Sequence, residues 1–365
     1  MMELFEWGVK MGKKRVVQLD SLRFFMCCMI VISHFEFLKK TVLGNVYEKH
    51  FWNPILAVDY FFVLSGFGMY LSDKRPGIKI KECVRFAIEK IKKIYPAYIF
   101  SLFLGIIWMI IEKKSILKII ICSIIDLTCL QSLTGTTSIS HGINGVCWFL
   151  SSLFVTYILA PIFLNIIDNG KLNKKVKVLL FFTFVSLIIT SGVAYKIDSL
   201  HLIDGKINDL YYGHPFVRCW YVFLGMIIGR LYKDIKITYR TKTEAIIIAF
   251  SIGWYLFRNS FTAYEPYLRI VDIIVVTLLV YIFSKGGGKI TKFLNNSKFV
   301  KLGKHTMYIY LFHYPVRMTL GAIFEKNNMF GLSQEIGSCI LIMLIVFLTI
   351  GIIKIYKYGY YKFCK

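Results

Sequence analysis

Residues 16–38 read VVQLDSLRFFMCCMIVISHFEFL, a run apolar enough to cross a bilayer that nevertheless carries Asp20, Arg23, His34 and Glu36. A helix spanning the ~30 Å hydrocarbon layer needs about 20 such residues. From Arg23 to His34 is eleven positions, which at about 100° each falls within ~20° of three full turns. Both side chains therefore project from one stripe, about 16 Å apart along the axis. Asp20, one turn before Arg23, shares that side. A charge at bilayer depth costs at least ~2.5–3.5 kcal/mol, so ionisable residues inside a span mark candidate functional positions.

The rest of the chain repeats the pattern. Of 365 residues, 56% are hydrophobic and 18% charged, and the mean hydropathy is +0.60. A soluble domain carries roughly 45–50% apolar and about 25% charged residues, so water-soluble, disordered and fibrous classes are excluded. Forty-five Lys+Arg against 21 Asp+Glu leave a net charge of +24. That charge sits in short clusters between apolar runs, which orients a membrane protein and argues against a nucleic-acid partner. The nine cysteines show no CxxC and no zinc spacing, so neither a disulfide framework nor a metal site is expected. Lys10, Lys13, Lys14 and Arg15 precede the first apolar run, which has no small-residue cleavage site and reads as a retained signal anchor.

Apolar runs of spanning or near-spanning length occur at 16–38, 54–72, 94–111, 147–167, 176–194, 216–233, 243–258, 267–284, 305–324 and 336–356. Ten spans with the N-terminus inside put 30 of the 45 Lys+Arg on the inner side and 10 outside. If 116–133 also crossed, the split would become 16 inside and 24 outside, against the positive-inside rule. The expected fold is thus an all-α, polytopic membrane helical bundle of about ten transmembrane helices, both termini cytoplasmic. Residues 1–365 form one integral-membrane domain, with 116–133 a re-entrant or surface helix that contains Asp126 and Gln131. The loops 73–93 and 285–304 are connections, and Gly286-Gly287-Gly288 reads as a flexible turn.

The intramembrane ionisables are Asp20, Arg23, His34, Glu36, Asp59, Arg218, Arg230, Arg269, Asp272, His313 and Arg317. Arg230 and Arg269 lie near helix ends and are read as snorkelling. Asp59, five residues past Pro54, should sit at a depth similar to His34, on a neighbouring helix. A carboxylate there would fix the imidazole's tautomer and raise its basicity; alternatively Asp59 faces the external loop.

These residues fall into motifs that resemble the membrane-bound acyltransferase-3 family, bacterial O-acyltransferases that modify cell-surface glycans. Leu19-Asp20-Ser21-Leu22-Arg23, ten residues, then His34 is similar to the family's Arg-x10-His signature. Asp59-Tyr60-Phe61-Phe62-Val63-Leu64-Ser65-Gly66-Phe67 resembles its FFxxSGF motif. Trp148-Phe149-Leu150-Ser151 with Tyr157 and Pro161, Phe223-Leu224-Gly225-Met226, and Tyr310-Leu311-Phe312-His313-Tyr314-Pro315 follow in order. Lys90 and Lys93 stand before Pro96 where the family often has two arginines, and lysine lacks the bidentate fork.

The resemblance implies transfer of an acyl group, by default acetyl from acetyl-CoA, to a hydroxyl of a carbohydrate or glycolipid acceptor at the bacterial cell (inner) membrane. A thioester is already activated, so the enzyme needs a base for the alcohol and stabilisation of oxyanion charge. His34 suits the base, Asp59 its orientation, Arg23 the donor's phosphates, and Asp20 the placement of Arg23. Lys90 and Lys93 are candidates for the anionic donor. Ser65 and Gly66 either narrow the helix for the donor's arm or serve helix packing. His313 is a second acid/base or a packing residue, and Trp148 a secondary substrate residue or an interfacial anchor. A transporter or flippase of a polyanionic or glycan substrate would also bury Arg, Asp and His, but no repeated halves or paired broken helices are seen.

Overall fold

A computed structural model describes residues 10–11, 14–72, 75–168, 172–199, 210–327 and 333–363. Lys13 and parts of the 73–93, 168–177 and 195–215 connections lie outside them. The chain forms the helices α1 (Val17–Ser33), α2 (Gly44–Val46), α3 (Ile55–Leu71), α4 (Ile80–Ile91), α5 (Tyr95–Ile111), α6 (Ile116–Leu127), α7 (Thr137–Ser140) and α8 (Trp148–Asp168). These continue as α9 (Leu172–Ser199), α10 (Pro215–Asp234), α11 (Thr241–Arg258), α12 (Glu265–Ser284), α13 (Lys289–Leu294), α14 (Ser297–Gly303), α15 (Thr306–Lys326) and α16 (Gln334–Phe363). Two two-residue strands, Lys10–Met11 and Lys14–Arg15, pair antiparallel ahead of α1. The architecture is all-α and polytopic.

Among the described residues, five stretches are both long and apolar enough to cross a membrane: Gly44–Leu71, Trp148–Asp168, Val178–Ile197, Tyr267–Ser284 and Gln334–Tyr360. The pair α4–α5 is bent by 64° and counts as a sixth if it is one span. This is fewer than the ten runs read from sequence, and the reason is chemical. α1 has only 17 residues and includes Asp20 and Arg23, while α10 carries Arg218, Arg230, Lys233 and Asp234. α6 covers 12 residues, about 18 Å at ~1.5 Å each, well short of the hydrocarbon thickness. It buries Cys122 and Asp126 and leaves Ile116, Leu117, Ile120 and Ile124 exposed.

α3 is central, lying against α1, α10 and α12. Its approach to α10 is backbone to backbone. A Cβ on Gly66 would overlap the Val222 carbonyl oxygen, and one on Gly225 would overlap that of Val63. Small residues admit such contacts where lipid offers no hydrophobic drive for association. Gly66 therefore packs directly against α10.

The start of α1 rests on α13 and α14. Ser21 Oγ donates to the Leu294 carbonyl at 2.5 Å, Gln18 Nε2 donates to the Phe283 carbonyl at 2.8 Å, and Gly303 abuts the Asp20 backbone without room for a side chain. α13 is capped from α11: Glu244 accepts from the Gly288 amide at 2.8 Å, the Ile290 amide at 3.1 Å and the Thr291 hydroxyl at 2.6 Å. A side chain on Gly288 would meet the Glu244 carboxylate and Thr241. The glycine run is thus a close-fitting cradle and not the flexible turn expected from sequence. Lys357 Nζ donates to His305 Nδ1 at 2.8 Å, so the end of α16 and the start of α1 share one face of the bundle.

Overpacking costs typically ~1–3 kcal/mol. Gly66→Ala and Gly225→Ala should each lower the melting temperature of the detergent-solubilised protein. Gly253→Ala, with nothing within 4 Å of its added methyl, should leave it unchanged or raise it.

Candidate active site

His34 follows the last residue of α1 as its C-cap, and His313 lies on α15. The His34 Nδ1 is 2.8 Å from the Ile30 carbonyl oxygen and 3.3 Å from His313 Nε2; the ring centroids are 5.2 Å apart. His313 Nδ1 is 3.0 Å from the Ile309 carbonyl oxygen. Tyr314 sets its ring edge-on to His34 at 5.1 Å. Arg317, one turn beyond His313, pairs with Glu36 at 3.1 Å.

Toward the start of α1 a cavity of about 520 Å³, counting its open mouth, is lined by Arg23, Ile30, Phe61, Ser65, Thr306 and Tyr310 among others. Arg23 marks one end and pairs with Asp20 at 3.5 Å, as the shared stripe predicts. Ile30 and Tyr310 mark the other, and each is about one turn from a histidine of the pair. Ser65 faces this space, and its hydroxyl donates to the Phe61 carbonyl at 2.7 Å, back-bonded within its own helix.

Asp59 does not stand beside His34. Its carboxylate takes Arg218 Nη1 at 2.5 Å and Arg269 Nη1 at 3.2 Å, all three side chains being fully buried or nearly so. This corrects the expected Asp59–His34 partnership, because matched depth on neighbouring helices does not fix which way a side chain turns. It also corrects Arg269, read as snorkelling, which is 1% exposed. Phe62, Trp148, Tyr212 and Tyr221 surround the Arg218 guanidinium at 5.0, 5.7, 5.1 and 4.9 Å, a cation–π enclosure. Trp148 is thereby a buried wall residue, not an interfacial anchor. Beside the cluster, Asp272 binds Arg258 at 2.8 Å and Trp254 Nε1 at 2.7 Å. Arg230, at the other end of α10, pairs with Asp234 at 2.5 Å and is 23% exposed.

Lys90 and Lys93 do not line the cavity. Lys90 lies over the Phe86 ring at 5.0 Å on the amphipathic α4, and Lys93 is exposed at the α4–α5 bend. Their charge faces outward at the joint.

The segment 131–147 closes over the histidines. Asn144 Nδ2 donates to the Leu311 carbonyl at 3.0 Å, Tyr310 Oη donates to the Val146 carbonyl at 2.6 Å, and Gly145 leaves no room for a Cβ against the Tyr314 ring. It brings His141 near, stacked at 6.2 Å from Trp148. Sequence reasoning did not single out His141 or Arg258, and it quoted Tyr310 only as part of a motif. His141 lies in a polar connection with no periodicity, and Arg258 is the last residue of its apolar run.

The site is a cavity with Arg23 at one end and, about one turn beyond the other, a half-buried His34 in contact with the buried His313. The chain matches the acyltransferase domain model of the acyltransferase-3 family over residues 16–353, and it belongs to that family. No curated protein and no solved structure matches it significantly. The protein is a membrane acyltransferase.

Removing one partner of a buried ion pair costs ~3–5 kcal/mol. Asp59→Asn should therefore reduce thermal stability by about that amount, read by unfolding in detergent, while Glu36→Gln at the partly exposed pair should change it by less than ~1 kcal/mol.

Proposed function

We propose that the protein transfers an acyl group, most simply acetyl from acetyl-CoA, to a hydroxyl of a cell-surface carbohydrate, with His34 as general base. The observation that carries this reading is the free nitrogen of His34. A carbonyl oxygen only accepts, so the 2.8 Å contact to Ile30 fixes the hydrogen on Nδ1 and leaves the Nε2 lone pair available.

The donor enters from the face where α1 begins. Lys and Arg gather in the connections 75–93, 233–242 and 285–304 on that face, which places it in the cytoplasm by the positive-inside rule. Both termini are then cytoplasmic, and about ten helices cross the bacterial inner membrane, with α6 short of a full crossing. Arg23 at the cavity's near end holds the donor's anionic portion, with Asp20 steadying the guanidinium. The thioester then reaches the level of Ile30 and Tyr310.

The acceptor hydroxyl approaches from the opposite face. Its proton passes to His34 Nε2 as the oxygen attacks the thioester carbonyl. The C–S bond breaks, and the leaving thiolate takes that proton to become the free thiol. Atoms and charge balance with neither metal nor redox cofactor in the step. Ser65 is not used as a nucleophile in this step; its hydroxyl bonds back to the Phe61 carbonyl.

His34→Ala and Arg23→Ala should each reduce surface-glycan acylation at least ~100-fold, the scale of a lost general base, while both variants still insert. Mass spectrometry of surface glycans and consumption of labelled acetyl-CoA by the purified protein check this. Normal acylation in both variants overturns it, and uptake of a glycan with the thioester left intact would indicate transport instead.

A further inference from the structure

The tautomer argument extends to the second histidine. His313 Nδ1 also faces a carbonyl, that of Ile309 at 3.0 Å, so it too carries its hydrogen there and its Nε2 is a bare acceptor. That acceptor lies 3.3 Å from His34 Nδ1, whose single hydrogen is shared between the Ile30 carbonyl and the His313 lone pair. The place an aspartate fills in a Ser-His-Asp triad is taken here by a neutral imidazole, since Asp59 is engaged by Arg218 and Arg269.

We infer that His313 is a positioning residue for acyl transfer, holding the His34 ring with Nε2 toward the substrates and accepting from Nδ1–H as the imidazolium forms. This rests on the proposed role of His34 as base. When His34 Nε2 takes the acceptor's proton, the ring is cationic and its Nδ1–H becomes a stronger donor. His313 Nε2 then strengthens its hold without taking on a formal charge. A carboxylate would compensate the cation more fully, but in the ground state it would be an uncompensated buried anion. A neutral acceptor avoids that penalty. His313 is 1% exposed and its ring is fixed by Ile309, with Tyr310 6.1 Å away, so the geometry is set before substrate arrives.

The test compares His313→Leu, which removes the acceptor, with His313→Gln, whose amide oxygen can stand near the Nε2 position. Membranes from producing cells supply the acceptor, and radiolabelled acetyl-CoA is titrated to separate kcat from KM. His313→Leu should lower kcat by about 10- to 100-fold, short of the ~10²–10⁴-fold contribution of a base itself, with KM for acetyl-CoA unchanged. His313→Gln should recover much of that loss. If the leucine chain does not accumulate, His313→Asn, whose shorter amide falls short of the His34 ring, takes its place. The inference is overturned if Leu stays within about twofold of wild type, if Gln is as impaired as Leu, or if KM rises in place of a fall in kcat. Those outcomes leave His34 as base intact. Wild-type membranes that transfer no acetyl, or an active His34→Ala, would instead sink the proposed function.

Discussion

One carboxylate, Asp59, holds two guanidiniums in the lipid-depth interior, and the bundle's arrangement follows from that. Arg218 enters from α10 and Arg269 from α12, each meeting α3 at the same oxygen, at 2.5 and 3.2 Å. Charges so buried are tolerated only when paired, so the three helices have little freedom to separate or rotate. Rings from Phe62, Trp148, Tyr212 and Tyr221 complete the enclosure. The glycine contacts between α3 and α10 carry the same fit further along the helices, where no charge is involved.

What the charged core fixes, the cavity uses. Phe61 and Ser65 point from α3 into the space that Arg23 and Ile30 border from α1, while Phe62, the next residue, turns to the arginine enclosure. One helix therefore serves two purposes on two faces. The histidine pair stands on α1 and α15, outside the Asp59 cluster, with the Arg317–Glu36 ion pair one turn beyond it. This division explains why a buried aspartate close in depth to His34 is not its partner.

Much of this was legible in the sequence, for identifiable reasons. The membrane class follows from composition, and the placing of Asp20 beside Arg23 follows from 3.6-residue periodicity, as their 3.5 Å pair shows. The acyltransferase-3 resemblance followed from motif order, and the family match covers 16–353. What the sequence left open was azimuth. Depth can be counted along a helix, but the side on which Asp59 or Gly66 faces depends on neighbours far away in the chain, such as Arg269 and Val222. The His34–His313 contact, 279 residues apart, is of the same kind. So is the turn of Lys90 and Lys93 away from the cavity, which the α4–α5 bend decides. The count of crossings shows the converse problem: α1 and α10 read as apolar runs, but α1 is only 17 residues long and α10 carries Arg218, Arg230, Lys233 and Asp234.

Glu244 lies far from any reacting atom, yet its hold on α13 sets the elevation of the whole first helix. The carboxylate fixes the Gly288 and Thr291 end of α13, the Leu294 carbonyl at the other end receives Ser21, and Gly303 closes on Asp20. Together they form a ledge on which α1 stands. A slip by a single turn, ~5.4 Å, would carry Arg23 and His34 past the two ends of the cavity at once. The ledge is thus the ruler against which Arg23 and His34 are both placed.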